Sequence, residues 1–393
     1  MHTGGAENRA RELALAVIPG TRTLVMMVER TRTSMLTNTW YMAAWPSELV
    51  QGKLLGRTIA NQPILMFRKQ DGTAVALGDR CPHRFAPLHR GRQVGDVVQC
   101  GYHGLEFGAD GRCSRNPHGG ASKPKAATVP VFPVVERHGM VWIWVGTAEA
   151  DEELISEEFS FVADSRRGHA RGYIHVSANY LLLLDNLMDT SHGLYLHPDS
   201  LTTEEMRNNY KQTVEMDGGV VSLLLQQFSV EPPAFWAAAL PASTKRVDLH
   251  DTVRGLIPSN VIHNVAYSVA GHPPYSEGGA SSRSAHMFTP ESETSSHYFY
   301  CNSRDYDVES LEAGNRINEA LYRIFSAEDK PMIEAQQRMI GPRELMELKP
   351  VLLPTDKAAV LMRRRISDLV SRETGTVACE STQQIVRERP PQL

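Results

Sequence analysis

The chain carries two sets of residues whose types and spacing suit redox metal chemistry. The first reads Cys81-Pro82-His83, then sixteen residues, then Cys100-Gly101-Tyr102-His103-Gly104. Two thiolates with two imidazoles can hold either a zinc ion or a [2Fe–2S] cluster, so ligand type alone does not decide. Spacing favours the cluster. A Cys₂His₂ finger keeps its cysteines on one arm and its histidines on the other, whereas each arm here supplies one of each. Mixed arms suit a cluster whose thiolates bind one iron and whose imidazoles bind the other, which raises the reduction potential well above that of an all-cysteine cluster. Gly101 and Gly104 allow two loop tips to approach closely.

The second set lies in the apolar segment 180–198, where Asn186, Asp189 and His192 recur at steps of three and His197 follows. On a helix over 179–192 the three form one stripe, flanked by leucines at 181–184 and 187, so the stripe is expected to be buried. A buried carboxylate is costly unless donors or a metal compensate it. Gly193 and Pro198 should interrupt the helix and turn His197 back toward His192. Two imidazoles and one carboxylate on one face of Fe(II) leave open positions for O₂. The carboxylate expected is Asp329, on an apolar stripe with Leu321, Phe325 and Met332, while Glu328 points off that stripe. Pro331 threatens this phase, because a break there resets it. An isolated pair of histidines at this spacing would read as ordinary core residues; the first set upstream makes a metal site the better reading.

These residues must be positioned by two different scaffolds. Residues 38–146 read as β structure, with a hairpin of 131–135 and 140–145 joined through 136–139. An acidic stretch, 149–158, reads as a linker. Beyond it, strands are expected at 220–230, 261–269, 285–289 and 296–302, and helices at 179–192 and 309–340, the latter broken near Pro331. Strands closed by C-terminal helices imply an α+β domain.

At 393 residues two domains are expected, 35–150 and 151–375, between a disordered leader or misassigned start at 1–34 and a tail at 376–393. A net charge of −4 and a pI near 6.4 supply no basic field for nucleic acid or anionic membrane. The basic run Arg363-Arg364-Arg365 reads as a solvated helix face. No apolar run approaches the roughly 18 residues of a membrane span. Five cysteines and no secretory signal argue against a disulfide framework and for a cytoplasmic protein, with Cys113, Cys301 and Cys379 plain thiols.

The Cys81-x-His83…Cys100-x-x-His103 spacing resembles the Rieske signature. From about residue 39 to 365 the chain resembles the vanillate and dicamba O-demethylase group of Rieske non-haem iron oxygenases. The resemblance rests on Trp40-Tyr-x-Ala-Ala-Trp45, Cys81-Pro-His-Arg84, Cys100-Gly-Tyr-His-Gly-Leu105, Asp185-Asn-Leu-Met-Asp-x-x-His192, Thr289-Pro-Glu-Ser292 and Glu328-Asp-Lys-Pro331.

That resemblance implies an N-terminal all-β Rieske [2Fe–2S] domain followed by a helix-grip, START-like catalytic domain. It makes Cys81, His83, Cys100 and His103 cluster ligands, and His192, His197 and Asp329 iron ligands with Asn186 nearby. Asp189 becomes a carboxylate bridging the two metal sites, the cluster being a neighbour's in a head-to-tail homotrimer. His286 corresponds to a substrate-pocket position, and His263 and Asn264 are further pocket candidates. The expected reaction is O₂-dependent hydroxylation of a small methoxylated aromatic acid at its methyl, releasing formaldehyde. Hydroxylation of a ring, methyl or N-methyl group, or ring dihydroxylation, is the alternative. A degenerate electron carrier without the second iron is the reading outside this class. No G-x-G-x-x-G loop is present, so electrons are expected from a separate NAD(P)H-dependent reductase or ferredoxin.

Overall fold

The computed structural model describes residues 35–119, 123–198, 200–208 and 210–375. The segment 1–34 and the tail 376–393, with Cys379, lie outside the described residues.

The N-terminal half is built from short strands rich in β-branched and aromatic residues. Thr39–Ala44 pairs antiparallel with Met140–Val145, and every residue of both strands is buried. The partner of Met140–Val145 on its other side is Val134–Arg137, joined through His138 and Gly139, both with positive φ. That is the two-residue connection whose twist matches paired strands. The expected hairpin therefore begins later than 131. Val131–Phe132 pairs instead with Ala76 and Leu77, because Pro133 has no N–H with which to continue the ladder. A separate four-stranded sheet, Arg92–Val94, Val97–Gln99, Glu106–Phe107 and Cys113–Arg115, carries the second Cys/His arm.

The C-terminal half is one antiparallel seven-stranded sheet. Its spatial order is Gly168–Val176, Ser295–Arg304, Ala280–Ser292, Asn260–Val269, Val247–Leu256, Val220–Val230 and Gln212–Asp217. Alternation assigns its two faces. Ile262, Ala285, Met287, Phe299 and Cys301 pack with Trp40, Trp142 and Phe159 of the N-terminal half. Val261, Val253, Tyr298 and Tyr300 face the helical side with Leu321, Phe325 and Ile333. The helices Tyr180–Leu187, Leu311–Ile324, Lys330–Ile340 and Lys357–Thr374 belong to that second layer.

Two expectations fail for reasons of packing. The acidic stretch 149–158 is no free linker: Ile155 is buried in the tryptophan-rich cluster, and Glu158 accepts two bonds from Arg254, each 2.9 Å. Arg363 does not lie on a solvated face. It is buried and reaches the carboxylate of Asp185 (2.6 Å) and that of Glu344 (2.5 Å). Asp185 sits on the Tyr180–Leu187 helix, so this ion pair ties the last helix to the one that carries Asn186.

Candidate metal centres and substrate pocket

The two Cys/His arms are closed in the same way. The Cys81 N–H donates to the Ala86 carbonyl (2.9 Å), and the Cys81 carbonyl accepts from Phe85 N–H (2.8 Å). Cys100 repeats this with Leu105 (2.8 Å) and Gly104 (3.0 Å). The fourth residue after each cysteine is left-handed: Phe85 at φ 56° and Gly104 at φ 72°. A side chain at Gly101 would come within 3.0 Å of the Arg90 carbonyl, so the glycine permits close packing of the loops.

Both thiols are buried, and burial with the neighbouring Cys100 pushes the Cys81 thiol above its ordinary value. The imidazoles lie outside them: His83 is exposed, and its ring centre is 4.5 Å from that of His103. Partial burial, reinforced by His83, His118 and Arg84, holds His103 below the ordinary imidazole value. Four ligands of one tetrahedral zinc lie roughly 3.3–3.8 Å apart. Among the described residues, the group with three ligand atoms all within 4.8 Å of one another is elsewhere, at His192, His197 and Asp329. An inner pair of sulfurs and an outer pair of imidazoles fits two irons better than one ion.

The second set converges, by a different route from the one expected. The helix ends at Leu187 and Met188 is its C-cap, so Asn186, Asp189 and His192 do not share one helical stripe. Asp189 is half-buried rather than buried. Its carboxylate caps a new short turn, Thr190–His192, accepting from Ser191 N–H (2.9 Å) and Ser191 Oγ (2.6 Å). A side chain that caps locally competes with continuation of the helix. The Asp189 carbonyl accepts from His192 Nδ1.

Asp329 is buried, as expected, but the phase resets before Pro331. Phe325–Asp329 forms a π turn between two α-helices, and the second helix runs through Pro331 near its start. Past the widened turn Ile333 is buried, whereas Met332 is exposed. The turn also aims Glu328 inward, correcting its assignment off the stripe: Glu328 Oε2 accepts from His197 Nδ1 (2.6 Å) and Ser200 Oγ (3.1 Å).

With both Nδ1 atoms engaged, both Nε2 atoms face Asp329 Oδ1, at 3.6 Å for His192 and 3.2 Å for His197. Asn186 Nδ2 donates to the same oxygen at 3.2 Å. Burial raises the Asp329 carboxyl, and the two histidines reverse this and hold it at about 2. Burial lowers His197, and Asp329 with Glu328 outweighs it, so its net shift is upward. Two neutral Nε2 acceptors and a carboxylate can hold a divalent transition metal on one side and leave the other open.

A polar and aromatic wall stands beside this centre on the sheet. His286 is buried; its Nδ1 meets the Tyr298 hydroxyl (2.8 Å), and its Nε2 has no partner. Burial and nearby His263 lower its pKa to about 3, so it is neutral. A neutral ring that accepts at Nδ1 donates at Nε2. Phe325 stands edge-on to His286 at 5.8 Å and tilted to Tyr298 at 5.5 Å. His263 lies on the same face and bonds buried Asp251 at 2.6 Å, a partner that sequence reading missed because it comes from another strand. Burial lowers the His263 pKa, but Asp251 outweighs it, and the net shift is upward. Asn264 points the other way. It pairs with Arg283 on the opposite face of the sheet, since adjacent strand residues alternate, and it does not join this wall.

A sulfur-and-imidazole loop pair on one β domain, with a two-histidine, one-carboxylate centre under a helix-capped sheet, defines a Rieske-type non-haem iron oxygenase. Family models agree. Residues 39–133 match the Rieske [2Fe-2S] domain, and 176–372 match the vanillate O-demethylase oxygenase C-terminal domain. The oxygenase component of dicamba O-demethylase from Stenotrophomonas maltophilia is 36% identical over 338 residues, covering 86% of this chain and 98% of that protein. The oxygenase component of chloroacetanilide N-alkylformylase from Rhizorhabdus wittichii is also 36% identical, over 344 residues, covering 86% and 96%. The structure of dicamba monooxygenase bound to 3,6-dichlorosalicylic acid superposes with a TM-score of 0.79 at 36% identity, covering 86% of this chain and 98% of that one. A further dicamba monooxygenase structure, containing non-haem iron and dicamba, gives 0.75 at 34% identity, covering 87% and 99%. The chain belongs to the vanillate and dicamba O-demethylase family of Rieske oxygenase components, and it is an oxidoreductase. Among the described residues no helix is long and apolar enough to cross a membrane.

Proposed function

We propose that this protein O-demethylates a small methoxylated aromatic acid of the vanillate kind. The net reaction takes the methoxyarene, O₂, two electrons and two protons to the phenol, formaldehyde and water. Cys81 and Cys100 would hold one iron of the [2Fe–2S] cluster and His83 and His103 the other; His192, His197 and Asp329 would hold the mononuclear Fe(II). Bound there, the iron supplies O₂ activation and the cluster supplies single electrons.

The chain's own residues do the positioning. The Asp189 carbonyl and Glu328 hold the Nδ1–H tautomers of His192 and His197, and Asn186 steadies the Asp329 carboxylate. With Tyr298 donating to Nδ1, His286 Nε2–H is an unpartnered donor in an aromatic wall and suits an oxygen substituent of the substrate. His263, whose pKa Asp251 raises against the effect of burial, suits an acid nearby. Phe325 and Tyr298 exclude water from the ring. The observation that carries this reading is the convergence of His192, His197 and Asp329 beside that donor-bearing wall.

The relatives are named as oxygenase components or subunits, and this chain would likewise take electrons from an NAD(P)H-dependent reductase or a ferredoxin. We further assign 35–150 to the Rieske domain and 151–375 to the catalytic domain, in a cytoplasmic head-to-tail homotrimer. There the free side of the half-buried Asp189 carboxylate would face a neighbour's His103. The chloroacetanilide relative, as similar as the dicamba one, supports N-dealkylation as a second reading. The test is formaldehyde release from a panel of methoxybenzoates and N-methylanilines with a reductase supplied. Turnover confined to the N-methyl compounds overturns O-demethylation; turnover of neither class removes both readings.

A further inference from the structure

On the opposite face of the sheet from His286, a cavity of about 540 Å³ opens where the strands Asn260–Val269 and Ala280–Ser292 meet the turn after Ala163. Nothing in the oxygenase chemistry uses it. Its lining includes Phe161, Arg167, Asn264, Tyr275, Arg283 and Asp305.

Charge and hydrogen bonding are unbalanced there. Arg166, Arg167 and Arg283 face Asp164 and Asp305, leaving one net positive charge. Arg166 is already committed to Asp164, by two bonds of 2.9 Å. Arg167 is held by the Ser303 hydroxyl (2.8 Å) and carbonyl (3.2 Å), not by a carboxylate. Asp305 accepts from Ser281 Oγ at 2.5 Å.

Arg283 is left over. Its guanidinium lies over the Phe161 ring at 4.6 Å, and its Nε is buried with no partner. Glu158, 3.8 Å away, is already bonded twice to Arg254. Burial, with Arg167 and Arg254 nearby, outweighs Glu158 and holds Arg283 below its ordinary value, which a bound anion would raise. Asn264 is its cross-strand neighbour and lines the same space.

We propose that this cavity binds a small organic monoanion, its carboxylate held by Arg283 and Asn264, at a site separate from the metal-bearing pocket. The planar guanidinium fork matches a carboxylate. Tyr275, exposed at the rim, offers an aromatic acid a ring to lie against, and the volume is that of a small-ligand site.

The test is equilibrium dialysis of labelled benzoate against the full-length, metal-loaded protein, with inorganic phosphate as competitor. Two benzoates per chain are expected in the parent, one of them in the catalytic pocket read above. Arg283→Met should weaken one site by about tenfold or more, and Asn264→Leu should weaken the same site. His286→Leu should affect only the other. Cluster absorbance and the melting curve check that each variant is folded. A single benzoate lost in Arg283→Met but kept in His286→Leu would support the cavity and remove the pocket reading. Benzoate binding unchanged in both Arg283→Met and Asn264→Leu overturns the proposal, as does equal displacement of that site by phosphate.

Discussion

Glu328 offers a quantitative test of the iron centre. It bonds His197 Nδ1 at 2.6 Å, and its side chain is 29% exposed while that of His197 is 4% exposed. Glu328→Gln keeps an acceptor of the same shape but removes the charge. A charge-assisted bond is worth about 1.5–3 kcal/mol against about 0.5–1.5 for a neutral one. The partial exposure of Glu328 puts the loss at about 1.4 kcal/mol, tenfold in metal affinity. Glu328→Ala removes the acceptor altogether and leaves a buried imidazole N–H unpaired. Removing an outer partner of a metal-bound histidine costs about 10–100-fold, and this variant should approach 100-fold. Asp329→Ala should lose the mononuclear metal outright. The assay is anaerobic Fe(II) competition against a chelator, with cluster absorbance as the control for folding. If Glu328→Ala binds Fe(II) within twofold of the parent, the outer hydrogen bond does not tune this centre. If Asp329→Ala keeps its iron while Glu328→Ala loses it, the two carboxylates have been assigned the wrong way round.

Asp189→Asn should preserve the cap on Ser191, since asparagine caps as well as aspartate, and so keep the melting temperature while losing turnover. Asp189→Ala should cost a further 1 kcal/mol or so of stability; rapid, product-coupled cluster oxidation in the asparagine variant would end the bridging role. Arg363→Met should destabilise the protein by about 3 kcal/mol, the low end for a broken buried pair because Asp185 and Glu344 keep some solvent. A thermal melt within error of the parent would show that the pair is not structural. The His263 pKa is raised in the fold, so the stability that His263 gains from Asp251 is fully present below its unfolded pKa of about 6.5 and is lost as pH rises through the folded value. Denaturant titrations across that range should show the slope in the parent and lose it in His263→Gln; an identical slope in both would exclude this pair as its source.

The candidate ligands were largely legible in the sequence itself. Cysteine and histidine at short fixed spacings leave few alternatives, and two equivalent loops then place one of each on either arm. The buried strands were legible for a similar reason, since side-chain alternation is local; the 220–230 strand runs Val220–Val230. What sequence could not supply was geometry that depends on register between distant segments. A single π turn re-aims Glu328 and exposes Met332, and neither effect can be read from a regular helical period. Asp189 was expected on a helix that in fact stops at Leu187, because its own carboxylate caps the next turn. His263 and Asn264 are adjacent in sequence, yet they face opposite sides of the sheet. Only strand pairing decided which joins the wall with Asp251 and which joins Arg283 on the far side. Motif chemistry is carried by residue type and spacing along the chain. Orientation is carried by packing between segments more than a hundred residues apart, as with Glu328 and His197, and only the folded chain brings those together.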